Sequence, residues 1–324
     1  MFHPVVYFTV RALVKASDFK GKHFISMMDY SREQLDYILS VADKMVELEK
    51  KGSDLAKHKV MGSMFFEPST RTRLSFEAAM FRLGGSVTTV ADPMTSSAKK
   101  GETFEDTIRT ISNYVDIIAM RHPDSDAALR AVKVASVPYI NGGSGTWEHP
   151  TQTMLDLHCI KYAKGKIDGL TIGMVGDLKN GRTVHSLLKA LRNYNVTVYC
   201  IAPDELKMKK EVIDEVKDKV KVIEVSDLPA TMPKLDVVYM TRVQRERFAE
   251  QADYDKVKDS YIMDREMIEK HGKKDVVIMH PLPRVNEIST DVDDMPNAWY
   301  FRQMKHGIYA RMAIIALALG LWKD

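Results

Sequence analysis

The chain has 324 residues, 45% of them apolar and 28% charged, with 17 glycines, 12 prolines and only 2 cysteines. That composition excludes a disordered, collagen-like or disulfide-stapled protein, and the length suggests two domains with well-formed cores. The net charge of +3 favours neither a nucleic acid nor a membrane as partner, so any anionic ligand must be met by local charge.

At the N-terminus, residues 5–10 are apolar and Arg11 follows them, the wrong order for a secretory signal. No acid precedes Asp18. Residues 1–21 are read as an extension packed on the surface, with a targeting segment as the alternative. Beyond them, short β-rich apolar runs alternate with helical patterns, the mark of parallel α/β architecture. Strands are expected at 60–66, 86–90, 115–120 and 137–140, then at 170–175, 196–201, 220–225, 237–240 and 276–279. Between the two sets, the glycine-rich residues 141–146 suit a hinge or domain boundary. A helix from 151 to about 162 carries the chain into the second half. In the lysine-rich stretch 207–221, Val212, Val216 and Val220 recur every fourth residue, as on a solvated helix. The C-terminal run 308–322 is too short for a membrane span and is interrupted by Arg311. Ile308, Met312, Ile315 and Leu319 recur in it at helical spacing, which predicts a docked amphipathic helix. Cys159 and Cys200 fit neither a disulfide framework nor a zinc site, pointing to a reducing, cytosolic setting. The expected fold is two α/β domains, each a mostly parallel sheet flanked by helices. The site should lie in the interdomain cleft, beyond the C-terminal ends of the strands.

Several segments carry chemistry. After Glu67 and Pro68, Ser69-Thr70-Arg71-Thr72 opens a helix whose apolar stripe is read as Leu74, Ala78 and Phe81, with Gly84 and Gly85 stopping it. Hydroxyls, a guanidinium and a helix N-terminus together suit a phosphate. The loop carrying Ser96 and Lys100 offers small residues and a mobile cation, and by itself reads as an exposed turn. Arg121 ends a strand and points toward the crevice or toward a sheet-edge salt bridge. His149 and Gln152 stand three apart at a helix start, so both can face one ligand. Gly176 to Thr183 nearly matches a nucleotide-binding phosphate loop, with Arg182 where lysine belongs; no later strand ends in the acid that would hold Mg²⁺. Arg182 is better read as a carboxylate or phosphate clamp. Arg242 and Gln244 follow another strand and share one side of an extended chain. His280-Pro281-Leu282-Pro283-Arg284 fixes its backbone with two prolines and offers carbonyl oxygens. No metal-binding or covalent-nucleophile motif is present. The set is dominated by Arg71, Arg121, Arg182 and Arg242, whose planar forks suit small, multiply anionic ligands.

With these motifs in order from about His23 to the C-terminal helix, the chain resembles the aspartate/ornithine carbamoyltransferase family. Pro281 stands where ornithine-using members carry a cysteine, and the second-domain loop 244–248 lacks their Ser-Met-Gly, so the aspartate branch is favoured. The resemblance implies transfer of a carbamoyl group from carbamoyl phosphate to L-aspartate, the second step of de novo pyrimidine biosynthesis, without metal or cofactor. It implies that Ser69, Thr70, Arg71 and Thr72 grip the phosphate, and that Arg121, His149 and Thr72 polarise the carbonyl. Gln152, Leu282 and Pro283 would hold the carbamoyl amide. Arg182, Arg242 and Gln244 would bind the aspartate carboxylates, and Glu67 would help set domain closure. Ser96 and Lys100 would come from a neighbouring subunit of a homotrimer, with regulatory chains as possible further partners. The domains implied are 1–149 for carbamoyl phosphate and 150–306 for aspartate, with 307–324 as a helix returning to the first. A phosphate-loop hydrolase and a catalytically silent homologue are the competing classes.

Overall fold

The computed structural model describes residues 13–90 and 101–324; the expected loop residues Ser96 and Lys100, and residues 1–12, lie outside them. Two parallel sheets organise the chain. The first contains β1 (Val60–Phe65), β2 (Ser86–Val90), β3 (Ile117–His122) and β4 (Tyr139–Ser144), in the order β2-β1-β3-β4. The second contains β5 (Thr171–Val175), β6 (Thr197–Ile201), β7 (Lys221–Val225), β8 (Val237–Met240) and β9 (Val277–Met279), in the order β7-β6-β5-β8-β9. All nine runs read as strands are strands, because apolar β-branched segments between helices satisfy both faces of a covered parallel sheet.

Each sheet reverses its winding once, between β1 and β3 in the first and between β5 and β8 in the second. At such a point the connections leave in opposite directions and a crevice opens above the strand ends. Gly176, just past β5, has φ +106, and a Cβ there would sit 2.5 Å from the Thr241 carbonyl oxygen beyond β8. Only glycine lets the two strand ends approach this closely.

Most of the glycine-rich stretch read as a hinge or domain boundary belongs to a strand. Asn141, Gly142, Gly143 and Ser144 complete the buried strand β4, and the β3–β4 register shifts so that Gly142 and Gly143 together oppose Arg121. Such a bulge re-aims neighbouring side chains. A Cβ on Gly143 would lie 3.5–3.6 Å from the side chains of Arg182, Arg121 and His149, so the backbone itself forms part of the wall against which they pack.

The helices correct three further expectations. In α2 (Thr70–Arg82), the buried residues are Thr72, Phe76, Ala79 and Met80, while Leu74 and Phe81 are exposed; the predicted stripe does not face the core. The segment 207–221 forms only the single turn α7 (Lys210–Asp214), although Val212, Val216 and Val220 are buried as their spacing suggests. The C-terminal helix starts earlier than expected and is buried almost all round, Arg311 included. This helix, Tyr300–Ala318, packs against α1 (Arg32–Lys51), α2 and α5 (Pro150–Lys164). A continuous apolar cluster runs through it from Leu35 and Phe76 to Leu157, Val184 and Tyr239, so one core underlies both sheets. Of the N-terminal extension, residues 16–19 form a 3₁₀ turn, the Ala16 amide donates to Asp324, and the Gly21 amide donates to the Ala318 carbonyl. Both cysteines are buried and unpaired. No helix among the described residues is long and apolar enough to cross a membrane.

Replacing Gly176 with alanine forces a side chain into the Thr241 carbonyl at a positive φ. The expected cost is roughly 1–3 kcal/mol of stability. Thermal denaturation checks it, and an unchanged midpoint would mean that the strand ends can separate freely.

Candidate active site

Above the two reversal points lies a cavity of about 700 Å³ lined from both halves of the chain. Ser69, Thr70, Arg71 and Thr72 enter from the start of α2, Arg121 from the end of β3, and His149 and Gln152 from the start of α5. The second half contributes Arg182 from the start of α6 (Arg182–Leu191), Arg242 and Gln244 from beyond β8, and Leu282 and Pro283 from beyond β9. All the expected site residues within the described part of the chain therefore share one cavity. Missed by sequence reasoning were Arg247 and Arg311, which also line it. A cation inside an otherwise apolar helical run was the available signal for Arg311, and it was read only as an argument against a membrane span.

The three helices that begin here, α2, α5 and α6, have no side-chain cap at their N-termini. By contrast, the Ser31 hydroxyl caps α1 at some distance from the cavity. Uncapped first-turn amides and the positive ends of three helix dipoles are thus left for an anion. Six arginines line the cavity (71, 121, 182, 242, 247 and 311) and Glu67 is the one carboxylate among the described lining residues. Glu67 holds two of them, with Oε2 accepting from Arg121 Nε and from Arg182 Nη1, each at 3.1 Å. Burial would raise this carboxyl, but Arg121 and Arg182 outweigh it and hold it below the ordinary range. Burial and the neighbouring Arg182 lower the Arg121 guanidinium to about 10, which leaves it cationic at neutral pH. Arg71 is lowered by burial and by Arg242 opposite it. Arg182 also donates to the Gly145 carbonyl, so in this state it bridges the two halves through Glu67 and the chain after β4.

His149 is fully buried, its backbone N–H donating to Ser186 Oγ at 2.9 Å, with Nε2 3.4 Å from Thr72 Oγ1 and Nδ1 without a hydrogen-bond partner. Burial, then Arg121, Arg182 and Arg311, push its pKa well below the usual value. The ring is neutral and can polarise a ligand only by donating a hydrogen bond. Arg311 is fixed by Ser75 Oγ at 2.9 Å and by the Gly307 carbonyl at 3.3 Å, over the ring of Phe76.

The loop after β5 does not form a phosphate loop. The Leu178 and Lys179 amides donate to the Leu206 carbonyl, and the Asn180 amide donates to the Asp177 carboxylate at 3.0 Å. Asp177 also accepts from the Gln244 amide at 3.3 Å. The loop's donors are spent internally, and its carboxylate positions the segment that carries Gln244.

The chain matches two family models, described as "Aspartate/ornithine carbamoyltransferase, carbamoyl-P binding domain" over residues 22–162 and "Aspartate/ornithine carbamoyltransferase, Asp/Orn binding domain" over residues 168–318. An aspartate carbamoyltransferase catalytic subunit from Thermococcus kodakarensis is 52% identical, over 94% of this chain and 99% of the relative. The corresponding subunit from Clostridium kluyveri is 48% identical, over 93% and 99%. A crystal structure of aspartate transcarbamoylase from Trypanosoma cruzi, in complex with carbamoyl phosphate and aspartate, superposes with a TM-score of 0.90. It shares 40% identity, over 95% of this chain and 99% of that one.

Because its pKa is lowered, His149 takes up a proton only at a pH below that of an exposed histidine. In histidine-labelled protein its ring resonances are expected to keep their neutral positions as the pH falls through 6.5. A midpoint near 6.5 would place the ring in solvent contact.

Proposed function

The chain belongs to the aspartate/ornithine carbamoyltransferase family, and we propose that it transfers the carbamoyl group of carbamoyl phosphate to the amine of L-aspartate, releasing phosphate and N-carbamoyl-L-aspartate. What carries this reading is one cavity in which, among the described lining residues, six arginines and three uncapped helix starts face a single carboxylate. That balance suits a dianionic acyl donor together with a dicarboxylate acceptor.

In this reading Ser69, Thr70, Arg71 and Thr72 hold the phosphate at the positive end of α2, and Arg121 spans the phosphate and the carbamoyl oxygen. Gln152, with Leu282 and Pro283, holds the carbamoyl amide. Arg182, Arg242 and Gln244 take the aspartate carboxylates; when the ligands bind, Arg182 exchanges part of its bond to Glu67 for one of them, and Glu67 thereby links occupancy to closure of the halves. The neutral aspartate amine attacks the carbamoyl carbon, forming a C–N bond. The oxyanion that develops is stabilised by Arg121, neutral His149 and Thr72. The C–O bond to phosphate then breaks, and the amine proton leaves with the phosphate. Catalysis rests on positioning and charge stabilisation.

The same reading makes the active unit a homotrimer in which Ser96 and Lys100 reach into a neighbour's site. Phe81, apolar yet exposed on the helix that begins in the cavity, supports a subunit contact beside it. It divides the chain at 149/150 and 306/307, places the enzyme in the cytoplasm and in pyrimidine synthesis, and leaves room for regulatory chains.

Given carbamoyl phosphate, the pure protein should carbamoylate aspartate and leave ornithine unreacted; carbamoyl-ornithine as the product would refute the aspartate reading. His149→Ala is expected to lose about 10²–10³ in turnover with little change in phosphate-ligand affinity. Arg242→Ala should chiefly raise the KM for aspartate, and unchanged aspartate saturation in steady-state kinetics would contradict its role.

A further inference from the structure

Asp156 lies one turn along α5 from Gln152 and is fully buried behind the cavity wall. Its Oδ1 accepts from Gln152 Nε2 at 3.0 Å and from Gln303 Nε2 at 2.6 Å, while its Oδ2 accepts from the Tyr239 hydroxyl at 2.8 Å. The orientation of both amides follows from what each must bond. The His280 backbone N–H donates to Gln303 Oε1 at 3.0 Å, so only the amino side of Gln303 remains for Asp156. Oδ1 is therefore an acceptor, and Gln152 can offer it nothing but its own amino group. The carbonyl oxygen of Gln152 is left for the cavity that this residue lines.

The segment after β9 offers the same kind of group. Pro281 and Pro283 have no N–H, and the Leu282 N–H donates to His280 Nδ1 at 2.7 Å. The other ring nitrogen of His280 is held by Glu287 Oε1 at 2.7 Å. What the backbone of 281–283 can present to a ligand is carbonyl oxygen. Gln303 ties this loop to Asp156, so the two acceptor walls belong to one network linking α5, the end of β9 and the C-terminal helix. A carboxylate here is costly: burial raises it to about 7 despite three donors, and an apolar side chain would fill the space without that penalty.

We propose that Asp156 and Gln303 are positioning residues that set acyl-donor specificity, holding the Gln152 amide so that the cavity accepts hydrogen bonds at the acyl substituent and selects an –NH2 over a methyl group. This deepens the reading of Gln152, Leu282 and Pro283 as holders of the carbamoyl amide and rests on it. A donor lacking the N–H leaves these oxygens unpaired, and sites built in this way reject such analogues strongly.

The test compares kcat/KM for carbamoyl phosphate with the competitive inhibition constant of acetyl phosphate, in which a methyl replaces the amino group. Asp156→Asn keeps the shape but can itself donate, which lets Gln152 turn over. It is expected to narrow the preference for the carbamoyl donor about tenfold or more, mainly through KM. If Asp156→Asn weakens both donors equally, or neither, the residue is merely structural and the proposal fails. Gln152→Ala separates the two levels. A collapse of preference in Gln152→Ala but not in Asp156→Asn refutes the positioning role alone, whereas no collapse in Gln152→Ala refutes the underlying reading of the amide site. Should Asp156→Asn fail to fold, Gln303→Met carries the same expectation, and an unchanged preference in it overturns the proposal.

Discussion

Mutual repulsion among guanidinium groups is the constraint around which this molecule is built. Six arginines converge on one cavity, and burial makes the charges of Arg121 and Arg311 costlier than they would be in water. Glu67 relieves part of the strain by bonding Arg121 and Arg182 at once. In the proposed function, a dianionic donor and a dicarboxylate acceptor relieve the rest. A site that is electrostatically incomplete when empty binds anions because they remove a standing penalty. It can also act on them at once, because its donors are already in place when negative charge develops.

The fold supplies that crowding by a simple geometric device. Parallel strands deliver their C-terminal ends to one edge, and the reversal in winding between β1 and β3, and again between β5 and β8, opens the crevices there. Stacking two such edges face to face places the starts of α2, α5 and α6 around one space. The cost falls on the backbone. Gly176 lets strand ends meet, and the bulge at Gly142 and Gly143 brings bare main chain against Arg121, Arg182 and His149.

Much of this was legible in the sequence. All nine strands could be placed, because a covered parallel strand leaves an apolar run that little else produces. Residues such as Ser69, Arg121 and Arg242 were found because each follows a strand directly, so a one-dimensional position implies a three-dimensional edge. The failures share a cause. Helical spacing groups residues on a face without saying which face points inward: in α2 the set Phe76, Ala79, Met80 has the same periodicity as Leu74, Ala78, Phe81, and it is the first that is buried. Glycine content cannot distinguish freedom from close approach, so the second half of β4 was read as part of a hinge or domain boundary. Arg311 and Asp156 went unrecognised because their partners, Ser75 and Thr151 for one, Tyr239 and Gln303 for the other, stand 83 to 236 residues away for the bonds concerned.

The C-terminal helix, packed on α1, α2 and α5, has a consequence for how the protein is made. Its residues leave the ribosome after both sheets have been synthesised, yet they cover the apolar side of the earliest helices. The nascent first half must therefore wait, partly uncovered, until residues 300–318 have been made, and during that interval a chaperone would find its binding surface there.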